Sequence, residues 1–366
     1  MRVGLVIYGN LETLTGGYLY DRQLVEYLHR VGDHVDVISI PRRNYVLNLA
    51  DNFSSSLLRR LRDLPIDILL QDELCHPSFV WLNRRLRRLV RYPIISIVHH
   101  LRCYEAHPAW QNLFYRWIER QYLASVGGFV FNSVTTRQAV ARVLNRADPT
   151  NSIVAHPAGD RFAATITETE IAARANRPGA LRILFVGNLI PRKGLHMLLD
   201  ALARLPPDSW QLTVVGSPDF DANYAQTIYR QVAERHLSQV EFVGALEDGP
   251  LEIKYIESHL LVVPSDYEGF GIVYLEGMSF GLPAIATTSG AAHEIIDDGG
   301  NGFLISPNDV VALACRIDLL QRERGRLAQM GVEARRRFLS HPGWDESMRY
   351  IRDVLNNQSA RAEGRA

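Results

Sequence analysis

Two glutamates, Glu268 and Glu276, stand with seven residues between them in PSDYEGFGIVYLEGMSFGLP, residues 264–283. Four glycines, Gly269, Gly271, Gly277 and Gly281, share this short stretch. Glycines bare backbone amides that a ligand can approach closely. If a helix begins near Gly271, Glu276 lies about a turn and a half inside it. The plainer alternative is a turn followed by a helix with exposed acids.

A second candidate lies upstream in LRILFVGNLIPRKGLHMLLDAL. An apolar strand ends at Gly187, and a loop with Pro191, Arg192, Lys193 and Gly194 leads into a helix. Cations beside a helix N-terminus, whose backbone N–H groups carry partial positive charge, make an anion site, and a phosphate or diphosphate is the natural guest. The alternative is a solvated basic loop. Among 40 basic residues only Lys193 and Lys254 are lysines. A compact ammonium suits a phosphate oxygen, whereas Arg suits planar, bidentate contacts.

Other patterns carry less. TLTGGYLYDRQLVEYL puts Gly16 and Gly17 before a helix, and IISIVHH ends a strand on His99 and His100. A histidine at a strand end is more often structural than catalytic. GFGIVY imitates a dinucleotide fingerprint, but Tyr274 stands where Gly or Ala belongs. Asp219-Phe220-Asp221 imitates a metal-binding D-x-D and reads as a solvated surface loop.

The elements that must position these residues follow a βαβ rhythm. Strands are expected at 3–8, 34–40, 67–71, 94–100, 128–133 and 152–157. A polar, Ala-rich stretch follows, and the rhythm restarts at 181–188, 210–217, 240–245, 260–265, 283–289 and 302–307. The fold class is α/β with two doubly wound, Rossmann-like parallel-sheet domains facing across a cleft. The boundaries are 1–160 for the first domain, 161–180 for a linker, 181–340 for the second, and 341–366 for a helix crossing back to the first. The final QSARAEGRA is expected to fray.

A chain of 366 residues suits two ordinary domains, and 47% hydrophobic residues is normal for a soluble protein. Zero net charge gives no global field to recruit nucleic acid. Residues 1–178 carry +6 and the remainder −6. The excess lies partly in SSSLLRRLRDLP (54–65) and WLNRRLRRLVRYP (81–93). The second segment can be drawn as a helix with Leu82, Leu86, Leu89 and Val90 on one side. These are surface helices, or else contacts for an anionic membrane surface. Three widely spaced cysteines form no framework and point to a reducing compartment. The apolar start is too short for a signal peptide, and a cytoplasmic location is expected, peripheral on the inner membrane face in the second reading.

Taken together, VPS, EGFG, E-x7-E, GLPAIATTSGAAHEII and VGNLIPRKG resemble the retaining glycosyltransferases of family 4, which have the GT-B fold. The resemblance extends over nearly the whole chain. It implies a nucleotide diphosphate sugar as donor and a sugar, glycan or lipid-linked acceptor. It implies no cofactor and no metal. Lys193 and Arg192 would hold the diphosphate, Glu276 the ribose hydroxyls and Glu268 the transferred sugar. Gly269, Phe270 and Gly271, with Ile272 and Val273, would present backbone to the sugar and phosphates. Val243 and Leu246 would lie near the base. Gly187 ends the strand, and Asn188 stands where many relatives have Arg, which leaves the phosphate-binding arginine open. Gly16 and Gly17 would face the diphosphate, and registration favours His99 over His100 near the reacting centre. Glu294, after His293, resembles a structural Glu of the family. A GT-B epimerase or phosphorylase, or a non-catalytic nucleotide-sugar binder, remains the alternative.

Overall fold

A computed structural model describes residues 1–149 and 151–363. The chain divides into two compact units: Met1–Pro157 with the chain from Pro342 onward, and Ala158–His341.

The first unit is built on β1 (Arg2–Tyr8), β2 (His34–Ile40), β3 (Ile68–Asp72), β4 (Ile94–Val98), β5 (Gly128–Phe131) and β6 (Ser152–Val154). All pairs are parallel, in the order β2-β1-β3-β4-β5-β6. β3, β4 and β5 are buried throughout. That follows from helices covering both faces, and it explains why these strands read as apolar runs without alternation.

The second unit holds β7 (Leu181–Val186), β8 (Trp210–Val215), β9 (Val240–Gly244), β10 (Leu260–Val262), β11 (Ala284–Thr287) and β12 (Gly302–Ile305). They pair in parallel in the order β12-β11-β10-β7-β8-β9. Its core packs Phe185, Trp210, Tyr255, Tyr274, Phe280 and Phe303, all nearly inaccessible. Each of the twelve expected strands is present.

Both sheets change direction once. The order reverses between β1 and β3 in the first and between β7 and β10 in the second. Connections leave these neighbouring strands in opposite directions, which opens a crevice beyond their carboxyl ends.

Residues 161–180 are not a linker. Helix Glu168–Ala175 begins with a Thr167/Glu170 capping box and buries Ile171 and Arg174. The Arg174 guanidinium donates to the carbonyls of Phe280 (2.7 Å) and Gly281 (3.0 Å). Ile171 fills space that a Cβ on Gly281 would enter, 2.3 Å from the Ile171 Cδ1. The Ala-rich composition that suggested a linker also favours helix.

The basic segment 81–93 is helical only over Leu82–Leu86. Pro93 disfavours helix at the residue before it, and β4 begins at Ile94. Leu82 and Leu86 are buried as expected, but Leu89 is exposed. At the C-terminus, helix Trp344–Glu363 packs on the first unit. Met348, Ile351 and Leu355 are buried, and Arg352 pairs with Asp33 at 2.6 Å. Residues 358–363 therefore continue a helix instead of fraying; the remaining residues of QSARAEGRA lie outside the described residues.

Candidate functional site

In the second unit the switch point is flanked by the loops after β7 and β10. The β7 loop forms a short 3-10 turn, Pro191–Lys193, and passes through Gly194 at φ +70° into helix Leu195–Leu202. A Cβ at Gly194 would come within 2.1 Å of the Pro264 carbonyl oxygen, so glycine is needed for space as well as for conformation. This close approach joins the two loops. Asp266 N–H donates to the Arg192 carbonyl (2.8 Å), and the Arg192 guanidinium donates to the Tyr267 carbonyl (2.7 Å).

The side chains meet at Glu268. Its Oε2 accepts from Lys193 Nζ at 2.6 Å and from Ser265 Oγ at 3.1 Å, with Arg192 Nη1 at 3.9 Å. Lys193 and Glu268 are largely buried, with 15% and 13% of their side chains exposed. Burial pushes the Glu268 carboxyl up, but Lys193 and Arg192 outweigh it and hold it at about 2. Lys193 is pushed down by burial and by Arg192, against the pull of Glu268. The result is a fixed carboxylate beside two cations.

Beyond Glu268 the chain passes through Gly271, at φ +98°, into helix Ile272–Ser279. No side chain caps this helix; Tyr274 N–H donates to the Gly271 carbonyl (2.9 Å), and the Ile272 and Val273 amides are left for another acceptor. Glu276 lies one turn in and is buried. Its Oε2 accepts from Tyr255 Oη at 2.9 Å, and Arg161 Nε lies 3.3 Å from Oε1. Burial raises its pKa, partly offset by Arg161 and Tyr255. Arg161 also reaches Asp248 (3.4 Å) and lies over the Phe162 ring.

The first unit has a different kind of centre. Gly16 and Gly17 open helix Gly16–Arg30, whose first turn is capped by Thr15. A Cβ on Gly17 would lie 3.2 Å from the His99 ring. His99 Nε2 lies 3.2 Å from Asp21 Oδ1, and the His99 carbonyl accepts from Asn132 Nδ2 at 2.8 Å. Asp21 Oδ2 has no hydrogen-bond partner among the described residues. Donor atoms of Asp21, Asp72 and His99 lie within 4.8 Å of one another, as do those of Glu73, His76 and Glu119, so each set has the chemistry to accept a cation. Burial and Asp21 push Asp72 up to about 7. Burial also lifts Glu73 to about 8 and Glu119 to about 7. Burial lowers His99, but Asp21, Asp72 and Glu73 outweigh it and its pKa is raised.

Residues 167–337 match the family of glycosyl transferases group 1. The second unit is a glycosyl transferases group 1 domain. A similar curated protein is the GDP-mannose-dependent alpha-(1-6)-phosphatidylinositol monomannoside mannosyltransferase of Mycolicibacterium smegmatis. It is 29% identical over 187 residues, 48% of each chain. The matches span about half or less of the curated relatives' length. Solved structures align over nearly the whole chain. Sucrose-phosphate synthase from Thermosynechococcus elongatus has a TM-score of 0.83 at 21% identity, covering 98% of this chain and 99% of that one. Anabaena HepE in complex with UDP-glucose has a TM-score of 0.76 at 19% identity, covering 98% and 100%. The fold is GT-B.

Within this group 1 domain, Gly187, Asn188, Arg192, Lys193, Glu268, Gly269, Phe270, Gly271, Ile272, Val273 and Glu276 all lie on the two loops and the helix between 187 and 279. Asn188 Oδ1 accepts from Ser217 N–H at 3.3 Å and ties the loops after β7 and β8. Val243 and Leu246 sit at and beyond the end of β9, packed against the core. His100 pairs with Glu105 at 2.9 Å, away from the Gly17 and Asp21 contacts of His99. Asp221 caps helix Ala222–Glu234 through Tyr224 N–H. Asp219 accepts from Ser217, so the D-x-D mimic is a pair of turn and cap residues. The Glu294 carbonyl accepts from Arg337.

Sequence reasoning missed Arg161, Tyr255 and Ser265. Arg161 fell inside the supposed linker. Tyr255 lies on helix Asp248–Glu257, where nothing in its spacing marks it. Ser265 could have been noticed, since a hydroxyl three residues before Glu268 can reach back to a loop carboxylate.

Proposed function

We propose that this protein is a retaining glycosyltransferase that moves a sugar from a nucleotide diphosphate sugar to a sugar, glycan or lipid-linked acceptor, without a metal or other cofactor. The observation that carries this reading is the Lys193–Glu268 pair with Arg192, held at a topological switch point beside an uncapped helix start.

As the anomeric C–O bond breaks, negative charge builds on the departing diphosphate. Lys193, Arg192 and the first amides of helix Ile272–Ser279 supply positive charge fixed in advance, which needs no reorganisation at the moment of reaction. Glu268, fully ionised at neutral pH, is an acceptor only and suits the hydroxyls of the transferred sugar. Glu276 takes the ribose hydroxyls, with Tyr255 and Arg161 fixing the orientation of its carboxylate. Val243 and Leu246 border the base. For Gly16, Gly17 and His99 the family resemblance gives roles toward the diphosphate and the sugar. Glu268 is tied to Lys193 and is a poor covalent nucleophile. Retention then comes from attack on the face the phosphate leaves, with the phosphate taking the acceptor proton.

A thermal-shift panel tests the donor, since a ligand that binds only the folded state raises stability. GDP-mannose and UDP-glucose come first, because the mannosyltransferase relative is named for one and HepE was solved with the other. Stabilisation by a nucleotide sugar, transfer with retained configuration by NMR, and activity in EDTA are expected. Absence of any shift sinks the donor reading. Release of a free sugar phosphate or epimer without acceptor favours a phosphorylase or epimerase. A trapped glycosyl-enzyme adduct refutes the same-face mechanism.

A further inference from the structure

Helix Ala109–Leu123 of the first unit is amphipathic on both sides of its axis. One face buries Ile118, Glu119, Tyr122 and Leu123. The other exposes Trp110 (68%), Leu113 (69%), Phe114 (40%) and Trp117 (50%). Their spacing, i, i+3, i+4 and i+7, makes one continuous stripe. The Phe114 ring lies 6.0 Å from that of Tyr45, whose neighbours Val46 and Leu47 are also exposed, so the apolar surface continues onto helix Tyr45–Leu49.

Beside the stripe is a hollow of about 370 Å³ lined by Leu113, Arg116, Trp117, Arg120, Arg142 and Val143. Arg116, Arg120 and Arg142 are exposed and form no ion pair with the described residues. Three guanidiniums, two from this helix and Arg142 from helix Val134–Leu144, thus stand beside Trp117 at the edge of a stripe that also exposes Trp110. The apolar stripe suits the acyl boundary, tryptophan suits the interfacial layer, and arginine suits lipid phosphate.

We propose that helix Ala109–Leu123 lies in the surface of an anionic bilayer, with a lipid phosphate in the hollow between Arg116, Arg120 and Arg142. Charge complementarity singles out the lipid: a protein groove would meet the stripe equally well but would not need three free cations at its edge. No described helix is long and apolar enough to cross a membrane, so this is contact in the plane of the surface. The assignment does not depend on the donor chemistry. It also moves the membrane contact away from segments 54–65 and 81–93, whose leucines mostly face the core.

The test is sedimentation with phosphatidylcholine vesicles, with and without phosphatidylglycerol, using the full chain. Binding should require the anionic lipid and weaken with salt. Each cation near an anionic surface contributes about fivefold, so the triple variant R116A/R120A/R142A should bind about a hundredfold more weakly. W110S/W117S should lose binding as well, and thermal unfolding and nucleotide-sugar stabilisation should stay as in the parent for both. Trp210 and Trp344 are buried. Trp81 is half-buried, so a blue shift of tryptophan emission on binding that persists in W81F would locate the contact at Trp110 and Trp117. Equal binding of the parent to neutral and anionic vesicles, or unchanged binding of both variants, overturns the proposal. So does self-association through Trp110 and Trp117 without vesicle binding, which assigns the face to a protein partner. If W110S/W117S fails to fold, the charge-reversal variant R116E/R120E gives the same readout from exposed residues that form no ion pair with the described residues.

Discussion

The two switch points lie in parallel sheets of different strand order, 2-1-3-4-5-6 in the first unit and 3-2-1-4-5-6 (counted from β7) in the second, and they reach opposite electrostatic solutions. In the second unit a carboxylate is buried with its cations, and Glu268 is held at about 2. In the first unit carboxylates are buried mostly with one another, and Asp72, Glu73 and Glu119 rise to about 7, 8 and 7. Burial raises all of them, and only at Glu268 do neighbouring cations outweigh it. A site with fixed charge suits stabilising charge that develops elsewhere. A cluster that holds protons suits hydrogen bonding that changes with pH. The difference teaches that a shared fold places ligands at a strand end and leaves the chemistry to a handful of side chains.

The largest effect should come from the second unit. Lys193→Ala should lower the rate of transfer by about 10²–10³-fold, the scale for removing one preorganised donor. It also orphans the Glu268 carboxylate, so some loss of stability is expected. Adding Glu268→Gln should restore stability but not rate. Initial rates and thermal unfolding of the two variants separate these contributions, and near-normal turnover in Lys193→Ala would remove the diphosphate role.

Glu276→Ala should weaken donor binding by about 10- to 100-fold, for hydrogen bonds to a charged group worth about 1.5–3 kcal/mol. Calorimetric titration with the best nucleotide sugar measures it. Unchanged affinity would leave Glu276 a structural partner of Tyr255 and Arg161.

In the first unit, Asp21→Asn removes the nearest carboxylate holding up the His99 pKa. The His99 limb of the pH–rate profile should move to lower pH. A limb that stays in place means that His99 does not set it.

Stability gives the most direct contrast. Glu268 lies below the carboxyl value of an unfolded chain, so its stabilisation is complete above about pH 4.3 and is lost as pH falls toward 2. Asp72, Glu73 and Glu119 lie above it. They hold protons that the unfolded chain has released, so their contribution declines as pH rises from about 4 through 7 to 8. Glu268→Gln should therefore destabilise at pH 7, and the loss should shrink as pH falls toward 2. Glu73→Gln should be more favourable at pH 8 than at pH 5. Urea unfolding at each pH reads both, and slopes of the same sign would erase the contrast.

The smallest effect is expected of Gly17→Ala. Its Cβ would press the His99 ring from 3.2 Å, a cost of about 1 kcal/mol. Alanine gains about as much within a helix. Stability should hardly move while activity falls a few-fold; a large loss of stability would show that the ring cannot yield.

Much of this was legible along the chain. Apolar runs at intervals located all twelve strands, because a parallel sheet covered on both faces demands continuous hydrophobicity. The residues from Gly187 to Gly194 and from Pro264 to Glu276 stood out because their chemistry is local: glycines where backbones touch, and charges on the loops between strand and helix. The segment 161–180 was misread because an alanine-rich stretch resembles a linker until it is known that Gly281 leaves a place for Ile171.

The sequence by itself determined the two sheets, the glycine loops and the acid pair, since these rest on periodicity and on spacing within a few residues. Only the tertiary structure decided the partners. Lys193 and Glu268 are separated by 75 residues, and His99 and Asp21 by 78. Whether a carboxylate is ionised or keeps its proton depends on which distant side chain folding brings beside it, and that distance is not written in either neighbourhood alone.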